Sequence, residues 1–233
     1  MKLRINSIFA VAGLASVLAL GGQAAALAQE EGTNVSQEET QTAEPVAKLY
    51  AMARDLVEYG RENNDPLSLI VAANIRQQVS LTEVDREPTN DGSGAAEPDD
   101  TPELTVEAIL DEAKSISGDD DLIVALADDV MASATKGRSA GPGYNVVTLG
   151  GGTTDAYNGV SFDGGKYAEV YAEGSGRTNL DLYIYDENGN LICSDTDSSD
   201  VAYCGWTPKW TGGFNIKVIN RGGSSNRYAL ITN

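Results

Sequence analysis

The residues best equipped for chemistry lie in one stretch, 181–206, DLYIYDENGNLICSDTDSSDVAYCGW, which holds both cysteines of the chain, five aspartates and one of its two tryptophans. Asp195, Asp197 and Asp200 supply the dense oxygen ligands that a hard cation such as calcium takes. The string lacks the glycine and terminal glutamate of a helix-loop-helix calcium loop, and aspartates that cap turns account for it equally well. Both readings stay open at this level.

Catalysis has little to work with. The chain has no histidine, which removes the Ser-His-Asp and Cys-His arrangements and the common histidine-bearing zinc sites. A carboxylate-dependent glycoside hydrolase needs only two acidic side chains and remains the alternative. Asp128 and Asp129, like Asp111 and Glu112, are adjacent, so on a helix they point in different directions. The glycines at 150–152 lack the lysine of a phosphate-binding loop and read as a turn.

Recognition is better supplied. Tyr183 and Tyr185 alternate with aliphatic residues, and Trp206 and Trp210 flank a Pro-Lys turn, so these four aromatics offer a shallow platform for a sugar or a peptide. Packing at the end of a core is the competing role for either tryptophan.

These side chains need elements to hold them. Leu180, Leu182 and Ile184 alternate with Asp181, Tyr183 and Tyr185, which predicts a strand with one aliphatic face. Asp186–Gly189 supplies a turn, and residues 190–193 begin a returning strand. YAEVYAE, VAYCGW, FNIKVIN and RYALITN have the same character, which predicts two packed sheets over 144–233. Glycines and a proline at 139–143 mark a linker.

Upstream, residues 44–138 read as a small helical domain. Val46, Leu49, Tyr50, Ala53, Leu56 and Val57 recur at helical spacing. Asp65 caps a second helix with Pro66 in its first turn, and Thr101 with Pro102 begins a third. A fourth carries Leu122, Leu126, Val130 and Ala134. Such helices form a small bundle, and VDREPTNDGSGAAEPDD between them reads as a loop.

The first 28 residues have the form of a signal peptide: Lys2 and Arg4, an apolar run, then Ala26-Leu27-Ala28. Residues 29–43 read as a disordered acidic leader. Removing Lys2 and Arg4 from the 16 basic residues leaves 14 against 35 acidic ones, a mature charge of −21. That field repels nucleic acid and anionic lipid, and no later segment is apolar enough for membrane insertion. An exported, periplasmic or secreted protein with two cysteines predicts a Cys193–Cys204 disulfide.

From Tyr144 to Asn233 the chain resembles the bacterial pre-peptidase C-terminal domain family, through GRTNLDLYIYDENGNLICSDTD, GWTPKWTGGFNIKV and NRGGSSNRYALITN. The resemblance implies a jelly-roll-like β-sandwich, appended to exported enzymes and itself non-catalytic. Some members bind calcium and others recognise collagen or polysaccharide. Asp181 and Asp186 match acidic positions of the family, whereas Asn179 stands where an earlier acidic residue is usual and lowers the negative charge offered to a cation. Joined with the acidic turn, the implied calcium ligands are Asp181, Asp186, Asp195 and Asp197. No cofactor is otherwise required. The expected function is a non-catalytic module that binds or stabilises an envelope or extracellular polypeptide or polysaccharide. A purely structural envelope protein is a further alternative.

Overall fold

The computed structural model describes residues 32–36, 46–79, 81–92, 94, 104–134, 142–175 and 178–233. The expected signal peptide, most of the acidic leader, the Thr101 cap and the start of the 139–143 linker lie outside the described residues. The elements are α1 (Val46–Asn63), α2 (Pro66–Gln78), β1 (Thr82–Glu83), β2 (Thr89–Asn90), α3 (Val106–Ile116), α4 (Asp121–Ala134), β3 (Gly143–Leu149), β4 (Thr154–Phe162), β5 (Ala168–Gly174), β6 (Leu180–Tyr185), β7 (Leu191–Asp195), β8 (Val201–Trp206), β9 (Gly212–Asn220) and β10 (Asn226–Thr232). Helices thus precede a sandwich of two sheets, ordered β1-β3-β10-β5-β8 and β2-β4-β9-β6-β7.

Alternation builds the sandwich. Leu180, Leu182 and Ile184 of β6 meet Phe214, Ile216 and Val218 of β9 and the inward residues of the other sheet, all fully buried. Each such side chain contributes about 1.5–3 kcal/mol on removal from water. The β6–β7 hairpin forms as expected, with Ile184 opposite Cys193 and Gly189 at φ 81° in its turn. Only glycine adopts that angle without cost.

Strand β5 is buried along its whole length. Val170 and Ala172 face the sandwich core, while Tyr171 packs with Tyr50, Ala47 and Ile231 beneath the helices. The helices therefore form a third layer over one sheet. Glu169 Oε1 accepts hydrogen bonds from Val46 N at 2.7 Å and Ala47 N at 3.4 Å, so a strand residue satisfies the first free donors of α1. Glu173, two pleat repeats further along the same face, pairs with Arg54 at 3.6 Å and with Arg76. Arg54 also holds both oxygens of Asp200 at 3.0 Å and donates to Gly174 O at 2.8 Å. Burial works against the Arg54 charge, but the Asp200 and Glu173 carboxylates overcome it and hold the guanidinium above its ordinary value.

The helices share their own core through Val57, Leu69, Ile109, Leu110, Ile123 and Ala127. Asp65 caps α2 as expected, accepting from Leu67 N at 3.1 Å. The cap of α3 is Thr105, accepting from Ala108 N at 3.1 Å, four residues beyond the Thr101 expected from the sequence. In α4 the buried stripe is Ile123 and Ala127, whereas Leu122 and Leu126 are 66% and 39% exposed. The run DLIVALA carries two neighbouring apolar stripes, and periodicity alone does not choose between them.

Two corrections concern segments expected to be irregular. Thr89–Asn90, inside the expected loop, adds a short antiparallel strand to β4, and Thr82–Glu83, just before that loop, a parallel one to β3; strand edges elsewhere in the chain recruit them. Within the expected disordered leader, Asn34 is fully buried on the sandwich. Its side-chain amide exchanges two hydrogen bonds with the Trp210 backbone, each 3.1 Å, and its N–H donates to Asp186 Oδ2 at 3.1 Å. One well-placed amide anchors a stretch whose composition promises no core.

Candidate functional site

The outer face of the β2-β4-β9-β6-β7 sheet carries the candidate site. On β6, Tyr183 and Tyr185 point away from the core and are partly exposed. Their rings stack at 6.5 Å between centroids and 14° between planes. Register places Tyr183 between Lys217 of β9 and Ser194 of β7, and Tyr185 beside Asn215. Lys217 Nζ lies 5.6 Å from the centre of the Tyr185 ring, close enough for a cation–π attraction. Arg221 Nη2 donates to Tyr183 Oη at 3.4 Å and its Nε to Asp181 Oδ2 at 2.6 Å. The result is a pair of near-parallel tyrosine rings bordered by Lys217, Asn215 and Arg221. Sequence reading found the tyrosines and missed these three, because only strand pairing reveals them. The alternation in FNIKVIN marked Lys217 as outward without giving its neighbour.

The two tryptophans part company. Trp206 is 5% exposed and packs with Phe162 at 4.9 Å and Phe214 at 5.1 Å. It closes the core, so its expected place on the platform is corrected: β8 turns that side chain inward. Trp210 is partly exposed, and its Nε1 donates to Glu187 Oε1 at 2.5 Å in the corner that also holds Asn34. This corner is apart from the tyrosine strip in pairing and in partners.

The four expected calcium ligands are not gathered. Asp181 is bound by Arg221. Asp186 is fully buried and accepts from the backbone N–H groups of Asn34, Asn188 and Asn190 and from the Asn190 side chain. Its burial works to raise its pKa, but those donors outweigh it and hold the carboxyl below its ordinary value. Asp195 accepts from Tyr203 N at 2.9 Å, and Asp197 from Ser199 N at 2.8 Å. Each is occupied by a turn or an ion pair, and among the described residues no three His, Cys, Asp or Glu side chains group to hold a metal.

Cys193 and Cys204 form the expected disulfide, with Cα atoms 5.9 Å apart. It links β7, at the edge of one sheet, to β8, at the edge of the other. Neither sulfur is then a nucleophile.

No family model matches the chain, and no curated protein does. Parts of solved structures are similar to it. The pre-peptidase C-terminal domain of collagenase from Bacillus anthracis is 12% identical over 38% of this chain and 88% of that domain, with a TM-score of 0.32. The C-terminal CBM6 of LamC, a marine laminarinase from Zobellia galactanivorans, is 12% identical over 39% of this chain and 90% of that one, TM-score 0.25. CsCBM6-3 from Clostridium stercorarium, solved with cellobiose, is 16% identical over 41% and 86%, TM-score 0.23. Likeness at this level leaves the role of the chain to its own geometry.

Proposed function

We propose that the chain is a non-catalytic exported protein whose sandwich, a module of the pre-peptidase C-terminal kind, binds an uncharged polysaccharide through the Tyr183–Tyr185 strip. The observation that carries this reading is the near-parallel pair of partly exposed rings, 14° apart, on an open sheet face. Sugar rings present apolar C–H faces that stack on flat aromatics, while Asn215, Lys217 and Arg221 border the strip with donors for hydroxyl groups. The strong net negative charge disfavours polyanionic polymers. The disulfide fits an oxidising compartment, and no described helix is long and apolar enough to cross a membrane.

Hydrolysis by a carboxylate pair finds less support. The cavities beside Glu173, Glu87 and Asp155 each carry that one acidic residue in their walls, where two flanking carboxylates are needed. Affinity electrophoresis of the full chain in gels holding soluble neutral glucans tests the reading, with reducing ends assayed in parallel. Retardation that Tyr183→Ala/Tyr185→Ala abolishes, without loss of melting temperature, supports it. Retardation unchanged in that variant, or released sugar that disappears on replacing one acidic residue, overturns it.

A further inference from the structure

A cavity lies on the opposite sheet, between it and the helices. It measures about 280 Å³ and is lined on the strand side by Tyr144, Val146, Ala229 and Ile231 and on the helical side by Tyr50, Arg76 and Leu104. Its volume lies just below the lower end of ordinary ligand pockets, roughly 300 Å³, which suits a small ligand. The walls are mostly aliphatic and aromatic, as a ligand's apolar body requires.

Charge sets the cavity apart from the rest of the molecule. In a chain of formal charge −19, its described ionisable lining, tyrosines aside, is Arg76, Arg227 and Glu173. Glu173 is shared by Arg54 and Arg76. Arg76 is held over the Tyr50 ring, 4.8 Å from its centre, and donates to Leu104 O at 3.1 Å, which fixes the guanidinium. Its Nε–H is buried and has no partner among the described residues. An unspent donor on a buried cation is costly to leave unmatched.

We propose that this cavity binds a small amphiphilic monocarboxylate, its apolar body against Val146, Ala229 and Ile231 and its carboxylate toward Arg76 and Arg227. A carboxylate would accept charge-assisted hydrogen bonds from this wall, and the aliphatic lining rejects a ligand that is polar throughout. The site is independent of the tyrosine strip, so either reading can fail alone.

Calorimetric titration of the full chain with octanoate, octanamide and acetate tests the proposal. Octanoate should bind saturably at one site, octanamide roughly tenfold more weakly or worse, a loss of about 1.4 kcal/mol, and acetate without saturation. Ala229→Phe should fill the cavity and abolish octanoate binding, and Arg227→Gln should weaken it while leaving the interior Arg76–Glu173 pair in place. The Arg227 variant answers the question if the Phe variant fails to fold. Absence of saturation with octanoate, equal binding of octanamide, or unchanged affinity in a folded Ala229→Phe or Arg227→Gln protein overturns the proposal.

Discussion

Glu169 on β5 accepts hydrogen bonds from the backbone N–H groups of Val46 and Ala47, so the sheet caps the first helix. The carboxylate is 2% exposed and its Oε2 has no partner among the described residues. Burial therefore raises its pKa above the ordinary glutamate value, although the two N–H groups oppose the shift. Between the ordinary and the raised value the folded state holds more protons than the unfolded one, so this residue lowers stability as pH rises through that window. Glu169→Gln keeps an acceptor and cannot ionise. Thermal melts across mildly acidic to neutral pH should show the variant gaining on the natural protein as pH rises, then holding a constant difference. A constant difference at every pH would refute the assignment.

Glu173→Ala should be the costliest single change at the helix–sheet junction. It strands Arg76 and removes one partner of Arg54, both side chains being under 10% exposed. Breaking such a buried pair from one side costs about 3–5 kcal/mol. Urea denaturation monitored by circular dichroism measures the loss. Arg54→Ala should cost less, because Glu173 keeps Arg76 and, of these two carboxylates, only Asp200 loses its partner.

Reduction of Cys193–Cys204 should lower stability by about 3 kcal/mol through the freed loop. The bridge joins the two sheets at their β7 and β8 edges, and Cys204 is fully buried. Intact-mass measurement with and without reduction checks the bridge, and denaturation of the Cys193→Ala/Cys204→Ala protein checks its energy.

Asn34→Ala should cost about 1–3 kcal/mol, because it removes two hydrogen bonds to the part-buried Trp210 N–H and C=O. Trp210 emission should shift to the red as its corner admits water, while Trp206 stays in the core. Acid sensitivity provides a second check. Asp186 is held below the ordinary aspartate value, so its contribution is present above that value and is lost as pH falls through the lower folded one. Asp186→Asn should flatten that acid limb.

The strands of the sandwich were legible because their inward aliphatic residues alternate, as in Leu180, Leu182 and Ile184, and the hairpin because its turn residues have one conformational use. The disulfide followed from export and an even count. Helix existence was legible from periodicity; the buried stripe of α4 was not, since DLIVALA satisfies two faces and only contact with α2 and α3 selects Ile123 and Ala127. The platform was half visible: the sequence determined that Tyr183 and Tyr185 share a face, whereas the pairing of β6 with β9 decided that Lys217 and Asn215 border them. Tertiary structure also decided that Trp206 is core, that Asn34 is anchored and that Glu169 and Glu173 receive the helical layer. The physical reason is common to all of these. Local pattern fixes which way a side chain points from its own element, but what it meets there is supplied by other elements of the fold, from Phe214 beside Trp206 to Val46, 123 positions from Glu169.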